Sequence, residues 1–116
     1  MSKSFGQYLR ELRRNAQISQ RELAKLIKVD FSYISKVEND RLPPPSADTA
    51  LAMATALNVP PGELLARIGK IPSDVEKTLA TNVEAQEFLR EIHSLKLSNM
   101  EWKEIRKSLS RLREVK

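Results

Sequence analysis

Two short helical periods set three residues apart constrain this 116-residue chain more tightly than any other feature of it. The first opens Ser19-Gln20-Arg21-Glu22-Leu23-Ala24. Ser19 and Glu22 have the spacing of a capping box, in which the serine oxygen accepts from a free first-turn N–H and the glutamate reaches back to the cap. Leu23, Ala24 and Ile27 form the inward face. After Lys28-Val29-Asp30 the second period runs Phe31-Ser32-Tyr33-Ile34-Ser35-Lys36-Val37-Glu38, with Asp30 placed as its N-cap and Ile34 and Val37 as its anchors. So tight a connection sets the helices at a steep angle and turns the outer face of the second away from the core. Ala24 suits that crossing, where a larger side chain would collide. The outer face carries Phe31, Ser32, Tyr33, Ser35 and Lys36. A half-polar helix held out by a rigid frame fits the major groove of B-DNA, about 12 Å wide.

The rest of the chain is helical in period and nowhere alternates like a strand. Phe5, Tyr8, Leu9 and Leu12 recur at i, i+3, i+4 and i+7, the stripe of a helix packed on one side. Pro43-Pro44-Pro45 cannot continue a helix, so residues 39–45 are expected to be irregular. Ser46 then caps a fourth helix with Ala50, Leu51, Ala54 and Leu57 inward, and residues 61–68 make a fifth that stops at Gly69. Two more capping boxes, Ser73/Glu76 and Ser98/Glu101, open a short helix with Val75 and Leu79 and a long last helix with Trp102, Ile105, Leu109 and Leu112. Between them Ala85, Phe88, Leu89, Ile92 and Leu95 mark another amphipathic helix. The expected fold is all-α: five helices in residues 1–69 and about three in residues 70–116, with the boundary at residues 69–72 and no internal repeat.

Composition narrows the chemistry. With no cysteine there is no disulfide scaffold, thiolate metal site, iron–sulfur cluster or cysteine nucleophile. One histidine, His93, leaves little from which to assemble a histidine metal site or a Ser-His-Asp triad; it is expected on the partly exposed side of its helix. No catalytic group, metal or cofactor is therefore assigned. The net charge of +5 favours an acidic partner. No apolar run approaches the roughly 18 residues of a membrane span, and Met-Ser-Lys-Ser-Phe-Gly lacks a signal-peptide core, so a cytoplasmic protein without membrane contact is expected.

The order of Leu12-Arg13, Ile18-Ser19-Gln20-x-Glu22-Leu23-Ala24, Tyr33-Ile34-Ser35-Lys36-Val37-Glu38-Asn39, a following Pro-Ser and Leu57-Asn58-Val59 resembles the phage-repressor and Cro type of helix-turn-helix domain, the XRE family, over residues 5–68. The resemblance implies a transcriptional regulator on double-stranded DNA. Gln20 takes the place of a glutamine that donates to phosphate and braces the recognition helix. Phe31, Ser32 and Lys36 take base-reading places: Lys36 can donate to guanine O6 or N7, and Phe31 can press on a thymine methyl. Phe31 also has a second reading, as a core residue closing the corner between the two helices. Tyr33, Asn39 and Arg41 match sugar-phosphate contacts, and Arg13 with Glu38 resembles an ion pair internal to the family fold. Arg10 and Arg14 are otherwise read as a solvated helix face. The chain departs from the family at Lys28 and Asp40, where glycine is usual.

In the tail, residues 96–116, basic side chains outnumber acidic ones. Trp102, Ile105, Leu109 and Leu112 step by three, four and three, a seam that needs a partner surface. That partner is either the preceding helix or a second chain, and two-fold operators favour the second chain, a homodimer on an inverted repeat. Ile71-Pro72-Ser73-Asp74-Val75 and the tail also resemble regulators found beside ImmA/IrrE-type metallopeptidases, which implies control of residues 108–113 by a regulatory protein, either such a peptidase or an anti-repressor. The alternatives are an antitoxin or restriction–modification controller with the same domain, and a protein-interaction module built on the C-terminal helices.

Overall fold

A computed structural model describes residues 3–114, and among them all regular structure is helical. In order these are α1 Phe5–Asn15, α2 Gln20–Ile27, α3 Phe31–Glu38, α4 Ala47–Leu57, α5 Pro61–Ile68, α6 Ser73–Ala80, α7 Val83–Leu95 and α8 Asn99–Ser110. The expected all-α architecture is the observed one. None of these helices is long and apolar enough to cross a membrane.

Local chemistry explains where the helices begin and end. Ser19 accepts from the Glu22 N–H while Glu22 Oε1 accepts from the Ser19 N–H, and Ser98 and Glu101 repeat the exchange at α8. Ser4 and Gln7 form a third such box at α1, outside the serine–glutamate pattern sought in the sequence. Asp30 sits at the N-cap of α3 but makes no side-chain cap. The expected box at Ser73/Glu76 is not formed. Ser73 is already the first residue of α6, and its hydroxyl donates to the Asp48 carboxylate at 2.9 Å, so a tertiary partner has taken the group that would have capped. Lys28, Asn58 and Gly69 terminate α2, α4 and α5 in the left-handed region at φ 61°, 57° and 68°. Lys28 therefore adopts the glycine-like turn conformation at the modest cost that a side chain carries there.

The first compact unit runs to Glu76. Its core is formed where α1 and α2 pack on α3, α2 on α4, and α4 on α5. Leu9, Leu23, Ile34, Met53 and Leu64 have no exposed surface, and Ala24 is buried at the crossing as its size required. On α4 the expected Ala50, Ala54 and Leu57 are buried, but Met53 joins them in place of Leu51, which is only half-buried: α2 and α5 both pack on this helix, and its apolar stripe is wide. The division falls inside α6, later than the composition change at residues 69–72. Lys70 Nζ donates to the Pro45 carbonyl at 3.0 Å and Ser73 to Asp48, and these bonds hold the start of the connecting segment to the first unit.

The second unit, from Lys77 onward, contains α7 and α8. Asn82 caps α7 by accepting from the Ala85 N–H. Neither helix has a fully buried residue. Leu89, Ile92 and Ile105 are half-buried, while Val83, Phe88, Leu95, Met100, Trp102 and Leu109 are exposed. The helical seam is one position shorter than expected: α8 stops at Ser110, and Leu112 lies in the turn that follows, 72% exposed. His93 is exposed.

One close approach sets a strict size limit. A Cβ at Gly6 would stand 2.4 Å from the Val37 carbonyl oxygen and 2.6 Å from that of Glu38, both backbone atoms that cannot swing aside. Gly6→Ala should lower stability by about 2–3 kcal/mol. Gly62→Ala, where a Cβ meets nothing within 4 Å, should be neutral or slightly stabilising. Urea midpoints of the two variants measure the contrast, and equal midpoints would remove the α1–α3 contact as a packing constraint.

Candidate nucleic-acid interface

The second helix of the pair is fixed from behind by a buried carboxylate. Glu38, 1% exposed, ends α3 inside the protein. Arg13 Nε donates to its Oε2 at 2.6 Å and Arg13 Nη2 to its Oε1 at 3.0 Å, a bidentate pair. Gln20 Nε2 adds a bond to Oε1 at 3.0 Å, and Arg10 Nε another at 3.3 Å. The remaining guanidinium nitrogen of Arg13, Nη1, donates to the Ile18 carbonyl at 2.9 Å, so one side chain ties the end of α1, the turn before α2 and the end of α3. No buried side-chain nitrogen or oxygen among the described residues lacks a partner.

These bonds decide the protonation state. Burial by itself would push the Glu38 carboxyl up. The hydrogen bonds from Arg13, Gln20 and Arg10, with the Arg13 charge, outweigh it and hold the group below the ordinary glutamate value. Glu22 and Glu101 are also lowered, by hydrogen bonds from the backbone and side chain of Ser19 and Ser98. Tyr33, half-buried, is raised by desolvation.

Arg10 is not the solvated residue the sequence suggested. Besides Glu38 it donates to Asn39 Oδ1 at 2.7 Å, while Asn39 Nδ2 donates to the Ser35 carbonyl at 2.9 Å. Both ends of the Asn39 amide are thus engaged within the chain. The i, i+3 spacing of Arg10 and Arg13 on one helix face was the available signal for this second arginine. Asp40 is left-handed at φ 58° and has a compensating use: its carboxylate accepts from the Ser4 hydroxyl at 2.7 Å and the Gly6 N–H at 3.3 Å. A glycine there could not make that tie.

With its rear face held by Ile34, Val37 and Glu38, α3 turns the opposite face outward. Phe31, Ser32 and Lys36 are exposed, and Tyr33 and Ser35 are half-exposed. Phe31 does not close the corner between the helices, since it is 36% exposed and the Arg21 guanidinium lies over its ring, 4.4 Å from the centroid. Gln20 stands at the first position of α2, and Arg41 is exposed after α3. The structure therefore brings Gln20, Phe31, Ser32, Lys36, Asn39 and Arg41 onto or beside α3. Trp102, Ile105, Leu109 and Leu112 belong to the other unit.

Two short helices at a tight turn, the second anchored by a buried carboxylate and projecting a polar face, are the parts of a helix-turn-helix. The helix-turn-helix domain family matches residues 4–68, more than half of the chain, and the chain belongs to that family. It is 37% identical over 73 residues to an uncharacterized HTH-type transcriptional regulator, RghRB, of Bacillus subtilis (strain 168), a match over 63% of this chain and 52% of that protein. The chain thus spans about half the length of that relative. Among solved structures, a chain of the SinR protein/SinI protein complex has a TM-score of 0.52 and 22% identity, covering 92% of this chain and 95% of its own, which shows a shared helical fold.

A carboxyl whose folded-state value lies below its unfolded one stabilises the protein above the unfolded value, about 4.3, and loses that contribution as pH falls through the folded one. Stability should hold from neutral pH to about 5 and drop below about 4. Glu38→Gln should cost about 3–5 kcal/mol at pH 7, because Arg13 keeps a buried charge without its counter-ion. It should also show a shallower acid loss in urea titrations at several pH values. An acid loss as steep as that of the parent protein would assign the linkage to other carboxyls.

Proposed function

We propose that this chain is a sequence-specific DNA-binding transcriptional regulator, acting as a repressor on an inverted-repeat operator, with α3 in the major groove. The observation that carries the reading is the division of α3 into a rear face locked by Ile34, Val37 and Glu38 and a front face that leaves Phe31, Ser32 and Lys36 exposed. A helix fixed this firmly presents its outer residues without further ordering cost, which suits base readout. Lys36 is assigned to guanine O6 or N7, with Phe31 and Ser32 beside it. Gln20, Tyr33 and Arg41 are assigned to the sugar-phosphate backbone. Gln20 already spends one amide proton on Glu38, so the same side chain braces α3 and keeps a second proton for phosphate. We assign Asn39 to positioning Arg10 and the end of α3, since both ends of its amide are occupied.

The second unit supplies the dimer in this reading. Trp102 and Leu109 stand exposed one above the other on α8 with Ile105 between them, and Phe88 and Leu95 do the same on α7. A helical unit in which no described side chain is completely buried favours a second copy as the missing half of its core. The same surface is what an interaction module would use.

Selection of bound sites from random duplex DNA tests the reading, with a two-fold symmetric motif as the expected result. Lys36→Ala should weaken binding to the selected site by about 1–3 kcal/mol and relax preference at one base pair. Affinity should fall steeply with added salt through counter-ion release, and a salt-insensitive interaction with protein alone would favour the interaction module. Leu109→Glu should shift the sedimentation coefficient from dimer to monomer while leaving the helical circular dichroism intact. A dimer unchanged by that substitution would remove α8 from the interface.

A further inference from the structure

The Arg21–Phe31 stack is the feature of the front face that no family role explains. Phe31 is the first residue of α3 and Arg21 the second of α2, so the stack joins the starting turns of the two helices. Phe31 lies one turn before Ser35, as Ser32 does before Lys36, and these side chains share the outward side of α3. An exposed phenyl ring there lies beside a polar cleft of about 610 Å³ to which Arg14, Gln20 and Arg21 also contribute.

Arg21 is exposed, and its side chain makes neither an ion pair nor a hydrogen bond with the described residues; it lies over the Phe31 ring. The contrast with its neighbours is informative. Arg13 spends its donors on Glu38 and Ile18, and Arg10 spends its own on Glu38 and Asn39. Arg67 stacks on Tyr8 at 3.8 Å, but that ring is half-buried and its hydroxyl is bonded to Glu63, so the second stack belongs to the packing of the unit. Arg21 and Arg67 both combine an aromatic platform with unused donors, but of these two only Arg21 rests on a ring carried by α3. A guanidinium resting on a ring face keeps its N–H groups in its own plane, directed outward past the ring edge. Such a fork matches the paired acceptors O6 and N7 of guanine, while the phenyl edge matches the C5-methyl of thymine.

We propose that Arg21 and Phe31 act as one composite reader of a thymine and a neighbouring guanine, Arg21 both donating to the guanine edge and holding the Phe31 ring against the methyl. This rests on the reading of α3 as the DNA-facing helix. Arg21 is thereby a specificity determinant placed on α2, outside the helix that carries the other base contacts.

The experiment uses the full chain and random-sequence duplex DNA, followed by the selected site with the thymine in question replaced by deoxyuridine. Arg21→Ala should lower affinity for the selected site roughly 5- to 150-fold and relax preference at the guanine. Arg21→Lys, which keeps the charge but not the planar fork, should restore affinity without restoring that preference. Removing the thymine methyl should weaken binding of the parent protein and have little effect on Phe31→Ala or Arg21→Ala. The losses in the double variant should be less than additive. Thermal unfolding should be unchanged in Arg21→Ala and Arg21→Lys, whose side chain is exposed, and only slightly lowered in Phe31→Ala, whose ring is partly covered.

Uniform weakening by Arg21→Ala across all sequences, with the salt slope reduced by about one, would make Arg21 a phosphate contact and overturn the proposal. A methyl effect that persists undiminished in Arg21→Ala would overturn the positioning role. If the parent protein selects no motif at all, it is the assignment of α3 that fails. If it selects one in which these variants change nothing, only the composite reader fails.

Discussion

The buried carboxylate of Glu38 is the interaction on which the rest of the first unit depends. It receives hydrogen bonds from Arg13, Gln20 and Arg10, side chains from α1 and the start of α2, at the point where α3 ends. An ion buried this deeply is tolerable only when its lone pairs are filled, and a geometry that fills them from two other helices leaves α3 little freedom to rotate. The network gives orientation more than net stability. Hydrophobic residues of the same volume could fill the space, but they would not fix which face of α3 looks outward.

Around this network, several residues do two things at once. Arg13 pairs with Glu38 and caps the Ile18 carbonyl, so the pair also sets the turn between α1 and α2. Gln20 braces Glu38 from the first position of α2. Asp40 accepts the strain of a left-handed backbone and uses its carboxylate to bind Ser4 and the Gly6 N–H, beside the close approach that excludes any larger residue at Gly6. The rigid frame behind the front face is therefore built from polar contacts at helix ends and from Leu9, Leu23 and Ile34 between them.

The second unit follows different physics. Its helices are well capped, yet their apolar residues remain half or wholly exposed. Capping fixes where a helix starts, while burial needs a second surface of matching shape. The first unit supplies such surfaces internally; α7 and α8 present Phe88, Leu95, Trp102 and Leu109 without fully covering them.

What could be read from the sequence was whatever neighbouring residues decide among themselves. The i, i+3 and i+4 stripes gave the helices, Ser19/Glu22 and Ser98/Glu101 gave two starts, and the size of Ala24 gave the crossing of α2 and α3. The outward set on α3 followed from its helical period, while the pairing of Arg13 with Glu38, distant in the chain, was implied only by the resemblance to the family. Tertiary structure alone decided the rest, since those outcomes turn on partners far away in the chain. Ser73 bonds Asp48 instead of capping α6, Arg10 joins Glu38 and Asn39, Met53 rather than Leu51 fills the core, and Arg21 lies on Phe31. In each case the packing of helices brought a partner from another element within reach.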